Sequence, residues 1–324
     1  MSEFSIIERF CHKLGKQHNT TRLSVGDDAA IVSIPENMDM AVSVDSMVQG
    51  VHFYPDTEPA LIAYKLMAVN LSDMAAMGAK PRYATLALSI NSLDEQWLSE
   101  FFKSLDKTAN HYGVQLIGGD TTHGEMNLSL TIMGLLPKGK ALSRADARAG
   151  EDVYISNTIG DAALAVACID KRIKKKSLNI ETLKQSLDKP VPQVELGQRL
   201  LNIAESCIDL SDGLVADAGH IAKQSAVDIE IDVNKLPISE QYQHYLQTGG
   251  NMDIALTGGD DYQLLFTAVP ERRGEINKLA EDLSISITKI GKVMKMNNES
   301  GSVVLIKDDA VYELNSSTGY QHFS

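Results

Sequence analysis

Residues 59–78 (PALIAYKLMAVNLSDMAAMG) constrain the fold more than any other segment of the chain. Four side chains, Lys65, Asn70, Ser72 and Asp73, interrupt an otherwise apolar stretch. At about 100° per residue they fall within one arc of roughly 160° on a helix. A helix apolar around the rest of its circumference has to be packed on nearly all sides, so the fold is built around it. The stripe ending at Asp73 is expected to face a site or a wet interface, because an unpaired charge there is costly.

Alternating segments surround this helix. Residues 40–45 read as a strand with Met40, Val42 and Val44 on one face and Ala41, Ser43 and Asp45 on the other. Residues 126–136 alternate again. Residues 3–14 read as an amphipathic helix through Phe4, Ile7, Phe10 and Leu14, stopped by Gly15. The polar stretch PKGKALSRADARAGED (137–152) carries Pro and Gly punctuation and marks a boundary. Beyond it EDVYIS predicts a strand, residues 162–170 a helix, Pro190 and Pro192 the start of a helix ending near Ser206, and CIDLSDG a buried strand entering a turn. LVADAGHIAKQS predicts a helix capped by Ser211 or Asp212. Strand and helix alternate in both halves, so the class is α/β (α+β). The organisation expected is an N-terminal domain over 1–137, a connector over 138–150 and a C-terminal domain over 151–324.

Composition narrows the function classes. The chain has 324 residues and a formal net charge of −13, which opposes binding to a phosphate backbone. Cys11, Cys168 and Cys207 are widely spaced with no CxxC pair, so zinc and disulfide frameworks are not indicated. No basic-then-apolar leader and no apolar run of membrane-spanning length occurs, and a cytoplasmic location is expected. The basic run KRIKKK (171–176) reads as a solvated helix end.

Chemistry is carried by aspartates beside glycine or small residues: Gly26-Asp27-Asp28, Val44-Asp45-Ser46, Ser72-Asp73, Gly118-Gly119-Asp120-Thr121, Asp209-Leu210-Ser211-Asp212-Gly213 and Gly258-Gly259-Asp260-Asp261. Each alone is an ordinary turn or cap. Six in one chain suggest convergence. Gathered carboxylates repel and raise one another's pKa, which divalent cations relieve. Magnesium takes oxygen ligands, and glycines let backbone approach phosphate. Acids, metal and glycine loops together point to phosphoryl transfer. The near match GLLPKGKA (134–141) is not a P-loop. It has Ala141 where a magnesium-binding hydroxyl belongs, and no apolar helix follows it.

The motifs GDDAA (26–30), VDSMVQGVHF (44–53), AVNLSDMAAMGAKP (68–81), YGVQLIGGDTT (112–122), SRADARAGEDVY (143–154), IDLSDGL (208–214), GGDDYQLLF (258–266) and GYQHF (319–323) resemble those of the thiamine-monophosphate kinases, within the superfamily of aminoimidazole ribonucleotide synthetase. The resemblance spans essentially the whole chain, in order. It implies a two-domain fold whose N-terminal α/β domain pairs in a homodimer and whose C-terminal domain is α+β. It implies ATP as co-substrate and several magnesium ions on Asp28, Ser43, Asp45, Asp73, Asp120, Asp209 and Asp212. Nucleotide contacts would fall on Tyr112, Gly119, Asp120, Arg144 and Ser211, and thiamine-monophosphate contacts on His52, Asp260 and Tyr320. The chain departs from the family where relatives often carry a hydroxyl, at Val44, and where they often carry Glu, at Asp260. Two other readings belong to different classes: a superfamily synthetase acting through an acyl or selenium phosphate, and a magnesium- and nucleotide-binding regulator without turnover. The position of Cys11 on the N-terminal helix argues against a selenophosphate synthetase.

Overall fold

The computed structural model describes residues 3–173, 178–297, 300–315 and 319. Tyr320, the last of the expected substrate contacts, lies outside the described residues. The chain divides into two compact units, Met1–Met74 with Ala79–Ala141, and Ala75–Gly78 with Leu142–Ser324.

The first unit runs α1 (Glu3–Ile6), continued as a π-helical turn over Ile7–Cys11, then β1 (Thr21–Leu23), β2 (Ile31–Val32), β3 (Met38–Val48), α2 (Pro59–Ala76), β4 (Lys80–Ile90), α3 (Glu95–Tyr112), β5 (Gln115–His123) and β6 (Asn127–Pro137). The N-terminal helix stops at Cys11, short of the expected Leu14. Lys13 and Gly15 take positive φ, of 65° and 80°, and break it there. Strands order as β3-β6-β4-β5, with β4 and β5 parallel and the other pairs antiparallel. Leu86, Leu88, Leu128, Leu130 and Ile132 are buried on one face.

The opposite face is open. Val42 and Val44 are 60% and 58% exposed, and Thr85, Ala87, Ser129, Thr131 and Met133 beside them are half-buried or exposed. Alternation along β3 is as the sequence predicts, yet the apolar side faces out and the Ser43/Asp45 side faces in. The reason is α2. Asn70 and Ser72 on its polar stripe are fully buried, and the inner face of β3 meets the stripe at Asn70 and Asp73. α3 has conventional ends: the Asp94 side chain accepts the N–H groups of Gln96 and Trp97, and Gly113 closes the helix at φ 74°. Asp94→Ala will cost about 1 kcal/mol, read as a lower denaturation midpoint with an unchanged m-value.

The second unit runs β7 (Asp152–Ser156), α4 (Asp161–Ile169), α5 (Ile180–Asp188), α6 (Val194–Leu200), β8 (Ser206–Asp209), α7 (Leu214–Ser225), β9 (Val227–Asp232), α8 (Glu240–Gln247), α9 (Asp253–Thr257), β10 (Leu264–Ala268), α10 (Arg273–Leu283), β11 (Ile287–Lys295), β12 (Val303–Lys307) and β13 (Ala310–Val311). Its seven-stranded sheet has the order β13-β12-β9-β11-β7-β10-β8, antiparallel except for β9 and β12. The helix after Pro192 ends at Leu200, not near Ser206: Ser206 to Asp209 are claimed by pairing with β10. Asp152, 3% exposed, is held by Arg273 and Lys289. That paired charge stabilises the start of β7 at the end of the SRADARAGEDVY segment.

Candidate functional site

In the first unit, β3 and α2 build one acidic patch. Ser43 and Asp45, two residues apart, share the inner face of β3. Asn70 and Asp73, one turn apart, share the facing side of α2. The Ser43 hydroxyl donates to Asp73 Oδ2 at 2.5 Å, and the Asp45 N–H donates to Asn70 Oδ1 at 3.2 Å. Asn70 is oriented in turn by donating to the Leu66 carbonyl at 2.9 Å. Ser43, Asp45 and Asp73 are all half-buried, so three oxygen-bearing side chains face one another where water still reaches. Among the expected ligands these are brought together directly.

His52 sits in the turn after β3. Its Nδ1 accepts the Val48 N–H at 3.0 Å, which leaves Nε2 as the protonated nitrogen. The ammonium of Lys65, a residue only 2% exposed, donates to the His52 carbonyl at 3.1 Å, so the polar stripe of α2 also anchors this turn. Tyr112 ends α3 half-buried, and its phenol is pushed up to about 12, by burial first and by Tyr64 second. It therefore stays a neutral donor. Asp28 is exposed on the loop before β2.

Register places Asp120 elsewhere. Asp45 lies across from Leu130, Leu130 from Leu86, and Leu86 from Gly119. Gly119 shares that inner face, and Asp120 shares the open face with Ala87, Ser129 and Ser46. Three strand spacings, about 14 Å, separate the two rows' ends, so Asp45 and Asp120 of one chain do not meet. Gly119 is fixed by packing: at φ 154° its added Cβ would lie 2.0 Å from the Leu86 carbonyl oxygen.

In the second unit, Asp209 ends β8 with 3% exposure. The loop that follows is pinned to the GGDDY segment. The Asp260 N–H donates to the Ser211 carbonyl at 3.0 Å, and the Tyr262 N–H to the Leu210 carbonyl at 2.8 Å. The approach requires Gly259, whose added Cβ would lie 2.1 Å from the Ser211 oxygen. The Tyr262 hydroxyl donates to Asp260 Oδ1 at 3.1 Å. Asp209, Ser211, Asp212 and Asp260 are thus gathered. Arg144 is exposed on the segment before β7, its carbonyl accepting from the Ser225 hydroxyl at 3.2 Å.

The cap of α7 is not the one the sequence predicts. Gly213 holds the N-cap position without a side-chain bond. Instead Asp217, one turn inside, accepts the N–H groups of Asp212 and Gly213 on Oδ2, each at 3.1 Å. Asp217 is 2% exposed, and its carboxyl is pushed up to about 8 by burial, then by the charges of Asp209 and Asp212. The ligating atoms of Asp212, Asp217 and His220 lie within 4.8 Å of one another. Asp217 and His220 escape a motif reading because they sit inside an ordinary amphipathic helix. The signal available was an acid in the first helical turn after a glycine. The donor chemistry of both patches, carboxylates with a hydroxyl and an imidazole, suits a hard divalent cation.

Comparisons with known proteins identify the family. Residues 26–136 match the family described as AIR synthase related protein, N-terminal domain. The thiamine-monophosphate kinase of Haemophilus influenzae is 38% identical over 327 residues, covering 100% of this chain and 98% of the relative. The crystal structure of thiamine-monophosphate kinase from Stenotrophomonas maltophilia is 39% identical with a TM-score of 0.81, over 89% of this chain and 92% of that one. A structure described as AaThiL complexed with AMPPCP and TMP is 29% identical with a TM-score of 0.76, over 93% and 92%. Among the described residues no helix is long and apolar enough to cross a membrane. Similarity along the full length, with the acidic patches of both units built from its motifs, makes this chain a member of the thiamine-monophosphate kinase family.

Proposed function

We propose that the chain transfers the γ-phosphoryl group of ATP to the phosphate of thiamine monophosphate, giving thiamine diphosphate and ADP in the cytoplasm. The observation that carries the reading is the Ser43–Asp45–Asp73 patch, an oxygen-donor set at the junction of two family motifs. Asp28, Ser43, Asp45, Asp73, Asp120, Asp209 and Asp212 are the residues that would hold magnesium. Bound magnesium supplies positive charge that lets two anionic phosphates approach.

The chain's own residues do the rest. The acceptor phosphate has a second pKa near 6 and is already mostly a dianion at neutral pH, so no side chain has to remove a proton. Tyr112, Gly119, Asp120, Arg144 and Ser211 are the nucleotide contacts, with the Arg144 guanidinium offering a forked bond to phosphate. His52, with its ring orientation fixed, and Asp260 contact the acceptor. Asp260 and Tyr320 suit the cationic thiazolium, by charge and by cation–π attraction. A coupled ADP assay with magnesium tests the reading: ADP release should depend on thiamine monophosphate and match thiamine diphosphate formed. Turnover without the acceptor, or nucleotide binding without turnover, would select the synthetase or the regulator instead.

The chain functions as a homodimer in this reading, through the open face of the first unit's sheet. Exposed Val42 and Val44 amid small side chains and hydroxyls form a surface suited to a second copy. The same face carries Asp120, which in its own chain is remote from Asp45. Val42→Glu should shift the mass measured by light scattering from dimer to monomer and lower activity with it. A monomeric wild-type chain with full activity would remove the dimer from the proposal.

A further inference from the structure

Asp253, the first residue of α9, is 5% exposed and belongs to none of the contacts proposed above. We propose that Asp253 is a positioning residue for the acceptor: it tethers the C-terminal segment, so that the chain beyond meets the Asp209–Gly213 turn in a fixed place. The inference rests on the thiamine-monophosphate reading, in which Tyr320 is an acceptor contact.

A buried carboxylate is costly unless donors surround it. The donors to Asp253 come from one short stretch just after β13. The Tyr312 hydroxyl donates to Oδ1 at 2.6 Å, and the side-chain amide and backbone N–H of Asn315 donate to Oδ2 at 2.9 and 3.3 Å. Bonds to an ionised acceptor are the stronger kind. The Tyr312 phenol is pushed up to about 12, by burial first and by Asp253 second, so it stays a donor. The Tyr312 N–H also donates to the Leu305 carbonyl at 2.8 Å. The segment is thus held by β12 on one side and by Asp253 on the other.

Beyond Asn315 the chain comes to the first turn of α7. An added Cβ on Gly319 would lie 2.5 Å from the Ala216 Cβ and 3.1 Å from the Asp212 carbonyl oxygen, an approach that a side chain would block. Tyr320 follows directly in the sequence. The far end of α9 touches the same turn. An added Cβ on Gly213 would lie 2.7 Å from the Thr257 carbonyl oxygen, and the Thr257 hydroxyl donates to the Asp253 carbonyl at 2.8 Å. One five-residue helix therefore supports both the C-terminal segment and the turn carrying Asp209, Ser211 and Asp212. Loss of the Asp253 side chain releases the segment and leaves the contacts of Gly213 and Gly259 to the turn in place. The effect then falls on the acceptor and spares the nucleotide.

The test is steady-state kinetics with thiamine monophosphate and ATP, plus chymotrypsin digestion read by mass spectrometry. Asp253→Ala should raise KM for thiamine monophosphate about tenfold and leave KM for ATP and kcat within about twofold. Asp253→Asn keeps a carbonyl acceptor for the Tyr312 hydroxyl and should hold the same KM within about twofold of the wild type. Tyr312→Phe keeps the ring, removes only the 2.6 Å bond and should raise that KM about fivefold. It decides the matter if Asp253→Ala does not fold. The tether acts through Tyr320, so Asp253→Ala combined with Tyr320→Ala should raise KM no further than Tyr320→Ala alone. Folded Asp253→Ala or Tyr312→Phe with wild-type KM, or a double variant worse than Tyr320→Ala, would overturn the proposal while the kinase reading stood. If the wild type phosphorylates no thiamine monophosphate, the kinase reading fails. Digestion then judges the tether by itself: faster cleavage within residues 312–315 in either variant than in the wild type supports it, and equal rates end it.

Discussion

Asp45→Asn and Asp73→Asn, made separately, will each lower kcat by about 10²–10³-fold, with a melting temperature within a few degrees of the wild type. Asparagine keeps the shape of the side chain and one carbonyl oxygen. The Ser43 hydroxyl, which donates to Asp73 at 2.5 Å, retains an acceptor. The Asp45 contribution to the link between β3 and α2 comes from its backbone N–H and survives untouched. What disappears is one negative charge in the patch proposed to hold magnesium. Calorimetric titration of magnesium in the absence of substrates should show the same defect as weaker binding, which separates the metal role from any effect on turnover. Asp120→Asn should match them in activity loss, through a residue on the opposite face of the sheet. Either variant of Asp45 or Asp120 running near wild-type rate at saturating magnesium would remove that residue from the mechanism.

Much of this patch could be read from the chain. The apolar helix with its stripe at Lys65, Asn70, Ser72 and Asp73 is α2, and the alternation at 40–45 is the phase of β3. Periodicity states which residues share a face, and it does not state which face is covered. β3 exposes Val42 and Val44 because the polar stripe of α2 occupies the other side, a fact set by two elements far apart in sequence. The same limit explains the helix after Pro192. Local pattern allows it to run on toward Ser206, but pairing of Ser206–Asp209 with β10 competes for those residues and wins. Asp217 and Asp261 show a third kind of limit. Each is one acid among many in the sequence. Their character comes from burial, from backbone N–H groups at Asp212, Gly213 and Gly160, and from other carboxyls brought close by folding.

Asp217 gives the second large effect, in the dependence of stability on pH. In EDTA, the chain should lose about 2 kcal/mol of folding free energy between pH 6.5 and 8.0 through this group. Its carboxyl titrates at about 8 in the folded chain against an ordinary 3.8. The unfolded chain gives up the proton near pH 4 while the folded chain keeps it until about pH 8, so folding takes up a proton throughout that window. The stabilisation is complete below the unfolded value and is lost as pH rises through the folded one, by about 1.4 kcal/mol for each pH unit. Asp217→Asn removes the titration but keeps an acceptor for the Asp212 and Gly213 N–H groups. Its denaturation midpoint at pH 8.0 should therefore exceed that of the wild type, with this part of the slope gone. Magnesium offers the alternative counter-charge. The ligand atoms of Asp212, Asp217 and His220 lie within 4.8 Å of one another and would hold such a cation in place of the proton, so adding it should flatten the wild-type profile and raise the midpoint more at pH 8.0 than at pH 6.5. A wild-type profile in EDTA that matches Asp217→Asn across this range would show that the buried acid ionises normally. The repulsion among Asp209, Asp212 and Asp217 would then not be what a cation at this turn relieves.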